Sequence, residues 1–173
     1  MKNIYIGLAN KNDQADMVTR ETEFDGIVLY LWVKLDHERS YRVNEYVMNQ
    51  LMYNDDVPEE VIWDMALRNT FKETRITPMS TFIPMAFGSE IMVVTNNDAF
   101  RGAACILDEE ALKANVEPGV YIAIPSSVHE FLLVPKDKYN LGLNAVINMV
   151  MEVNETEVRP EDRLANTAYE IQI

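Results

Sequence analysis

The run Gly26-Ile27-Val28-Leu29-Tyr30-Leu31-Trp32-Val33 narrows the folding options of this chain most. It is rich in β-branched and aromatic residues and bounded by glycine and charge, so it reads as a strand. At eight residues it is far too short to cross a bilayer. The 25 residues before it are polar, with Asn10-Lys11-Asn12-Asp13 as a turn and Asp16 to Asp25 as an acidic stretch. After it, Val43, Tyr46, Val47, Gln50 and Leu51 fall at helical spacing over 43–53. A second helix has a start signal in Asp56, Pro58 and Glu59, and its apolar face runs through Val61, Ile62, Met65, Ala66 and Asn69. Two prolines, Pro78 and Pro84, make the segment Thr77–Met85 a loop or irregular crossing.

Beyond residue 90 the pattern turns to sheet. Ile91 to Thr95, a turn at Asn96-Asn97-Asp98 and Gly102 to Leu107 suggest a hairpin. Asp108 to Lys113 starts a short helix with acids in its first turn, where the helix dipole favours them. Pro118-Gly119 marks a turn before the strands Val120–Ile124 and Phe131–Val134. A long helix follows over about 139–153, with Leu143, Val146, Ile147, Val150 and Met151 on one stripe. The tail is polar and acidic, with a helical turn near Pro160-Glu161-Asp162. The sum is an α+β chain: a mostly antiparallel sheet of four to five strands with helices packed on one face, in a single domain over 1–173.

Charge limits the function. The 173 residues hold 15 Lys and Arg against 28 Asp and Glu, a net charge of −13. Such a surface repels phosphate and argues against a nucleic-acid binder of the usual basic kind; it suits a basic protein partner. Apolar residues at 48% suffice for a real core. One cysteine, Cys105, allows no internal disulfide and no Cys-rich metal site. The N-terminus lacks the apolar segment of a signal peptide, so the cytoplasm is the expected compartment and Asn154-Glu155-Thr156 is not expected to carry a glycan. The six glycines form neither a dinucleotide fingerprint nor a phosphate loop, so no cofactor is expected.

From Trp63 onward several segments carry a resemblance. They are Trp63-Asp64-Met65-Ala66-Leu67-Arg68-Asn69-Thr70, Met92-Val93-Val94-Thr95-Asn96 and Gly102-Ala103-Ala104. Tyr121 through Glu130, with its Pro-Ser-Ser-x-His-Glu motif, and Val153-Asn154-Glu155-Thr156-Glu157-Val158 continue it. Pro160 to Leu164 and Tyr169 complete the pattern. Together they resemble a bacterial and mobile-element family known only as a domain of unknown function. The likeness spans about 58–170, leaving 1–57 as a variable N-terminal strand and helix. Members are usually longer, so the chain reads as a short version. The resemblance implies a fold and a habitat rather than a reaction. Carriage by phage or prophage, combined with the charge, leads to an expected counter-defence role, such as inhibition of a CRISPR effector nuclease.

Two candidate sites follow from the residues. The first is the acidic set Glu109, Glu110, Glu117, Glu152, Glu155, Glu157, Glu161 and Asp162, which can imitate a run of phosphates in a basic groove. The second is the corner Ser126, Ser127, His129 and Glu130. There His129 would act as base or ligand, Glu130 would orient it and a serine would be the nucleophile, with Cys105 as the alternative thiol. The bland reading of that corner is a loop whose serines bond their own backbone, and Cys105 has the small apolar neighbours of a packed thiol. The other histidine, His37, sits between Asp36 and Glu38 with no ligand at metal-binding spacing, so no metal is expected. Of the ten methionines, Met65, Met92, Met149 and Met151 sit on core-like faces, while Met79 and Met85 flank the proline-rich crossing. The favoured expectation is a non-enzymatic acidic inhibitor of a basic, nucleic-acid-handling nuclease. A small hydrolase or metal-dependent enzyme centred on the Ser-Ser-x-His-Glu corner is the alternative, and self-pairing through a strand edge is the third reading.

Overall fold

The computed structural model describes residues 3–13, 16–36, 39–82, 90–138 and 142–173. The chain divides into two compact units, Met1–Glu73 and Thr74–Ile173. The expected α+β class is found, but as two antiparallel sheets of four and five strands rather than one.

In the first unit, strands β1 (Ile4–Asn10), β2 (Thr19–Glu21) and β4 (Ser40–Arg42) all pair antiparallel with β3 (Ile27–Lys34), the apolar run. Side chains of a strand alternate between faces, yet Ile27, Val28, Tyr30, Leu31 and Trp32 are all buried, so both faces of β3 are covered. Strand β1 lies inside the stretch that reads as polar. Its Ile4, Ile6 and Leu8 are buried, and it is recognisable as a strand only through its seven-residue pairing with β3.

Helices α1 (Glu45–Asp55) and α2 (Glu59–Phe71) complete this unit. Asp56 does not cap α2. It sits in the left-handed conformation (φ 49°) and closes α1, its N–H bonding the Met52 carbonyl, while Pro58 occupies the start of α2 without a side-chain cap. The buried face of α2 is Ile62, Trp63, Ala66 and Thr70, rotated from the expected stripe so that Val61 is exposed. From this helix the Thr70 hydroxyl accepts the Ile6 N–H (3.0 Å) and Asn69 Nδ2 donates to the Ile4 carbonyl (2.9 Å). Two polar groups of strand β1 are thereby satisfied by side chains, which blunts a sheet edge. In α1 the expected stripe also turns. Met48 is buried, whereas Tyr46 and Gln50 face water.

The second unit orders its strands β5 (Thr74–Pro78), β6 (Met92–Asn96), β8 (Glu130–Pro135), β7 (Val120–Ser127) and β9 (Tyr169–Gln172), each antiparallel to its neighbour. Part of the expected crossing at Thr77–Met85 is thus strand β5 and a 3-10 turn over Met79–Thr81, while Pro84 and Met85 lie outside the described residues. The expected hairpin over 91–107 does not form. Both edges of β6 are already taken, by β5 and β8, and Gly102–Leu107 winds into a buried 3-10 turn. A methyl on Gly102 would lie 2.5 Å from the Asn96 nitrogen and 2.9 Å from the His129 carbonyl, so this turn packs on β6 with only a hydrogen in between. Helix α3 (Glu109–Asn115) follows, capped by Asp108. Helix α4 (Leu143–Thr156) sets Val146 and Val150 against Ile122, Val134 and Ala168, with Leu143 and Ile147 half-buried beside them. The 3-10 turn Pro160–Asp162 is where the sequence puts it.

The Gly7–Tyr30 pair provides a test of the first sheet. A Cβ on Gly7 would fall 2.6–2.8 Å from the Tyr30 ring and hydroxyl, and Tyr30 is only 1% exposed, leaving it nowhere to swing. Gly7→Ala should lower stability by about 1–3 kcal/mol, the usual cost of overpacking. An unchanged urea midpoint would show that the Tyr30 ring is not held there.

Candidate functional site

Strands β7 and β8 form a hairpin whose tip carries the Ser-Ser-x-His-Glu corner. Register shifts between Ile124 and Ser127, so Pro125 and Ser126 lie in a bulge, where a residue without an N–H is tolerated. Ser127 pairs with Glu130 across the tip. The Ser127 hydroxyl accepts the His129 N–H at 3.1 Å, a local bond of the kind serines make in turns. Ser126 Oγ donates to Glu130 Oε1 at 3.3 Å.

Three segments meet at His129. Its Nδ1 accepts the backbone N–H of Arg101 at 3.0 Å, and its Nε2 lies 3.2 Å from Asp162 Oδ1. Because Nδ1 is the acceptor, Nε2 carries the proton and donates to the carboxylate. The His129 carbonyl accepts from Thr95 Oγ1 (2.8 Å), and the N–H of Val128 donates to the Asp162 carbonyl (2.8 Å). The Phe100 ring lies 5.7 Å from the imidazole, centroid to centroid. Arg101 itself takes a left-handed φ of 52°, the geometry that presents its N–H to the ring.

This arrangement orients the imidazole and at the same time occupies both of its nitrogens. Neither serine hydroxyl is bonded to the ring, and Cys105 is fully buried in the 3-10 turn. A nucleophile bonded to its base, the signature of covalent catalysis, is not assembled at this corner. His37 and Glu38 lie outside the described residues, and among the described residues no three His, Cys, Asp or Glu side chains converge to hold a metal ion.

The acidic set divides by environment. Glu109 pairs with Lys113 (2.7 Å), and that bond holds its carboxyl below the usual carboxylate range. Asp162 is half-buried and committed to His129. Glu110, Glu117, Glu152, Glu155, Glu157 and Glu161 are exposed, and no Lys, Arg or His among the described residues lies within ion-pair distance of them. The end of α4 holds Glu152 and Glu155 with no basic residue in the last turn. Carboxylates there oppose the helix dipole, at about 0.3–1 kcal/mol each, so helix stability does not account for them.

Sequence reasoning missed the neighbours of these acids. Met149 and Met151 are not core residues; with Val153 they are 52%, 41% and 43% exposed. The signal was present in the count of apolar positions. Leu143, Ala145, Val146, Ile147, Met149, Val150, Met151 and Val153 are more than one helical stripe can hold, so some must face outward. Also missed was a cleft of about 690 Å³ in the second unit, lined by Met92, Val116, Pro118, Val120, Tyr121 and Pro135 among others. Both lysines that line it are paired, Lys138 with Glu90 and Lys136 with Glu170, each at 2.6 Å. Tyr121 donates to the Glu117 carbonyl at 2.9 Å.

Two measurements test this geometry. His129→Ala removes the acceptor of the Arg101 amide and the donor to Asp162, and should cost about 1–3 kcal/mol in chemical denaturation; no loss would mean the junction does not hold the hairpin. Burial, assisted by Glu117 and Asp137, pushes the Tyr121 phenol above its ordinary 10.0. A raised folded value favours the protonated form, so its stabilisation is complete below about pH 10 and is lost as pH rises through the folded value. The parent protein should therefore lose stability relative to Tyr121→Phe as pH rises above about 10, and parallel pH profiles would contradict it.

No helix among the described residues is long and apolar enough to cross a membrane. Comparison with curated proteins and with solved structures yields no match. A model described as a family of unknown function (DUF5688) matches residues 2–172, taking in residues 2–57 along with the 58–170 of the resemblance, and the chain belongs to that family.

Proposed function

We propose that this protein is a non-enzymatic interaction protein that binds a basic partner through the acidic surface of its second unit. What supports the reading is the set of six exposed carboxylates without a cationic partner among the described residues: Glu110, Glu117, Glu152, Glu155, Glu157 and Glu161. Between Thr74 and Ile173, 14 acidic side chains face 7 basic ones, a net charge of −7. A field of that sign accelerates encounter with a basic surface and repels nucleic acid. The exposed Met149, Met151 and Val153 add an adaptable apolar component on α4, which also carries Glu152 and Glu155.

In its specific form, the partner is a nucleic-acid-handling host nuclease such as a CRISPR effector, and the carboxylates occupy the groove that otherwise takes phosphates. Phage or prophage carriage and action in the host bacterial cytoplasm belong to this reading. The test is cleavage by purified CRISPR effectors with and without the protein, at low and high salt. Inhibition should appear at low salt and weaken as salt rises, and charge reversal (Glu152→Lys, Glu155→Lys, Glu157→Lys) should weaken binding at least about tenfold, in line with measured couplings of close interfacial charge pairs. Asp162 is spared because it holds His129. Inhibition indifferent to both salt and charge reversal would remove the acidic surface from the explanation, and absence of binding to every effector would end the specific form.

A further inference from the structure

The cleft of the second unit, about 690 Å³, takes no part in the proposed function apart from Glu117 on its rim. Its volume lies in the range of small-molecule sites, about 300–1,000 Å³. The floor is one face of the sheet. Residues paired across neighbouring strands share a face, so the register Tyr121↔Pro135 and Met92↔Leu133 sets Met92, Pro135 and Tyr121 side by side from β6, β8 and β7. The chain leaving α3 adds Val116 and Pro118, and Lys136 to Lys138, just past β8, line the rim.

Charge at the rim selects the occupant. Of the described residues that line the cleft, Glu90, Glu117 and Asp137 are acidic and Lys136 and Lys138 basic. Both lysines are engaged, Lys138 by Glu90 and Lys136 by Glu170. Glu117 and Asp137 are exposed, and no Lys, Arg or His among the described residues lies within ion-pair distance of them. Their fields reach the floor: after burial, these two carboxylates are the strongest influences that hold the Tyr121 phenol above its ordinary value. The phenol gives its proton to the Glu117 carbonyl (2.9 Å), which leaves its oxygen as an acceptor. An apolar floor with a phenol ring, an acceptor oxygen and two uncompensated carboxylates suits an ammonium carried on an apolar body. A ligand carboxylate or phosphate would find both lysines already paired.

We propose that this cleft binds a small hydrophobic amine, with its apolar body on Met92, Pro135 and Tyr121 and its ammonium beside Glu117 and Asp137. The proposal needs neither a basic protein partner nor the carboxylates of α4.

The probes are three indoles titrated against the full chain by NMR: tryptamine (cationic), 3-methylindole (neutral) and indole-3-propionate (anionic). Tryptamine should bind about tenfold more tightly than 3-methylindole, the combined effect of two exposed ion pairs and one cation–π contact, and indole-3-propionate more weakly than either. Added salt should weaken tryptamine and spare 3-methylindole. Asp137→Asn with Glu117→Gln should bring tryptamine down to the level of 3-methylindole. Val120→Trp puts a larger side chain into the cleft from a position already 37% exposed, and should abolish binding of all three. In the parent protein tryptamine should shift the Met92 methyl and Tyr121 ring signals, which reads the site without any variant. The proposal is overturned if tryptamine does not bind, if the three probes bind alike, if neutralising the two carboxylates leaves tryptamine unaffected, or if Met92 and Tyr121 do not respond. None of these outcomes bears on the nuclease test, whose variants lie at Glu152, Glu155 and Glu157.

Discussion

Strand β3 must be covered on both faces, and the first unit is arranged to meet that demand. Five of its eight residues are buried, and a strand so apolar cannot serve as a half-exposed edge. It therefore takes β1 on one side and β2 and β4 on the other. β1, left outermost, has its Ile6 N–H and Ile4 carbonyl satisfied by Thr70 and Asn69 of α2. Gly7 matters for the same reason: the fully buried Tyr30 ring occupies the space a side chain there would need.

In the second unit the comparable device is polar. His129 links Arg101, its own hairpin and Asp162 by accepting a hydrogen bond at Nδ1 and donating one from Nε2, while the Val128 amide reaches the same 160–162 turn. Polar groups of limited exposure need partners, and a histidine with one donor and one acceptor can satisfy two segments at once. The residues that read as a catalytic corner are thus engaged in holding strands and turns together.

The surface electrostatics have a different character. Acids at the first turn of α3 suit the helix dipole, whereas those ending α1 and α4 oppose it. Carboxylates placed at those ends weaken their own helices, so helix stability does not account for them.

Much of this was readable in the residues because it depends on local pattern. The strand at Ile27, the helix start at Asp108, the β7 and β8 strands, the 160–162 turn and the α+β class follow from β-propensity, the helix dipole and periodicity, which act over a few residues. The acidity of the surface was equally plain. What the sequence left open depends on contacts between distant residues. β1 and β9 are strands because partners lie beside them, and Gly102–Leu107 is a 3-10 turn because β6 has no free edge. Packing also turned the stripe read on α1 and removed Met151 from the one read on α4, since each helix carries more apolar residues than one stripe holds and only packing selects among them. The histidine was visible as a candidate, but its task depends on an amide 28 residues before it and a carboxylate 33 residues after it, a separation that only the folded chain closes.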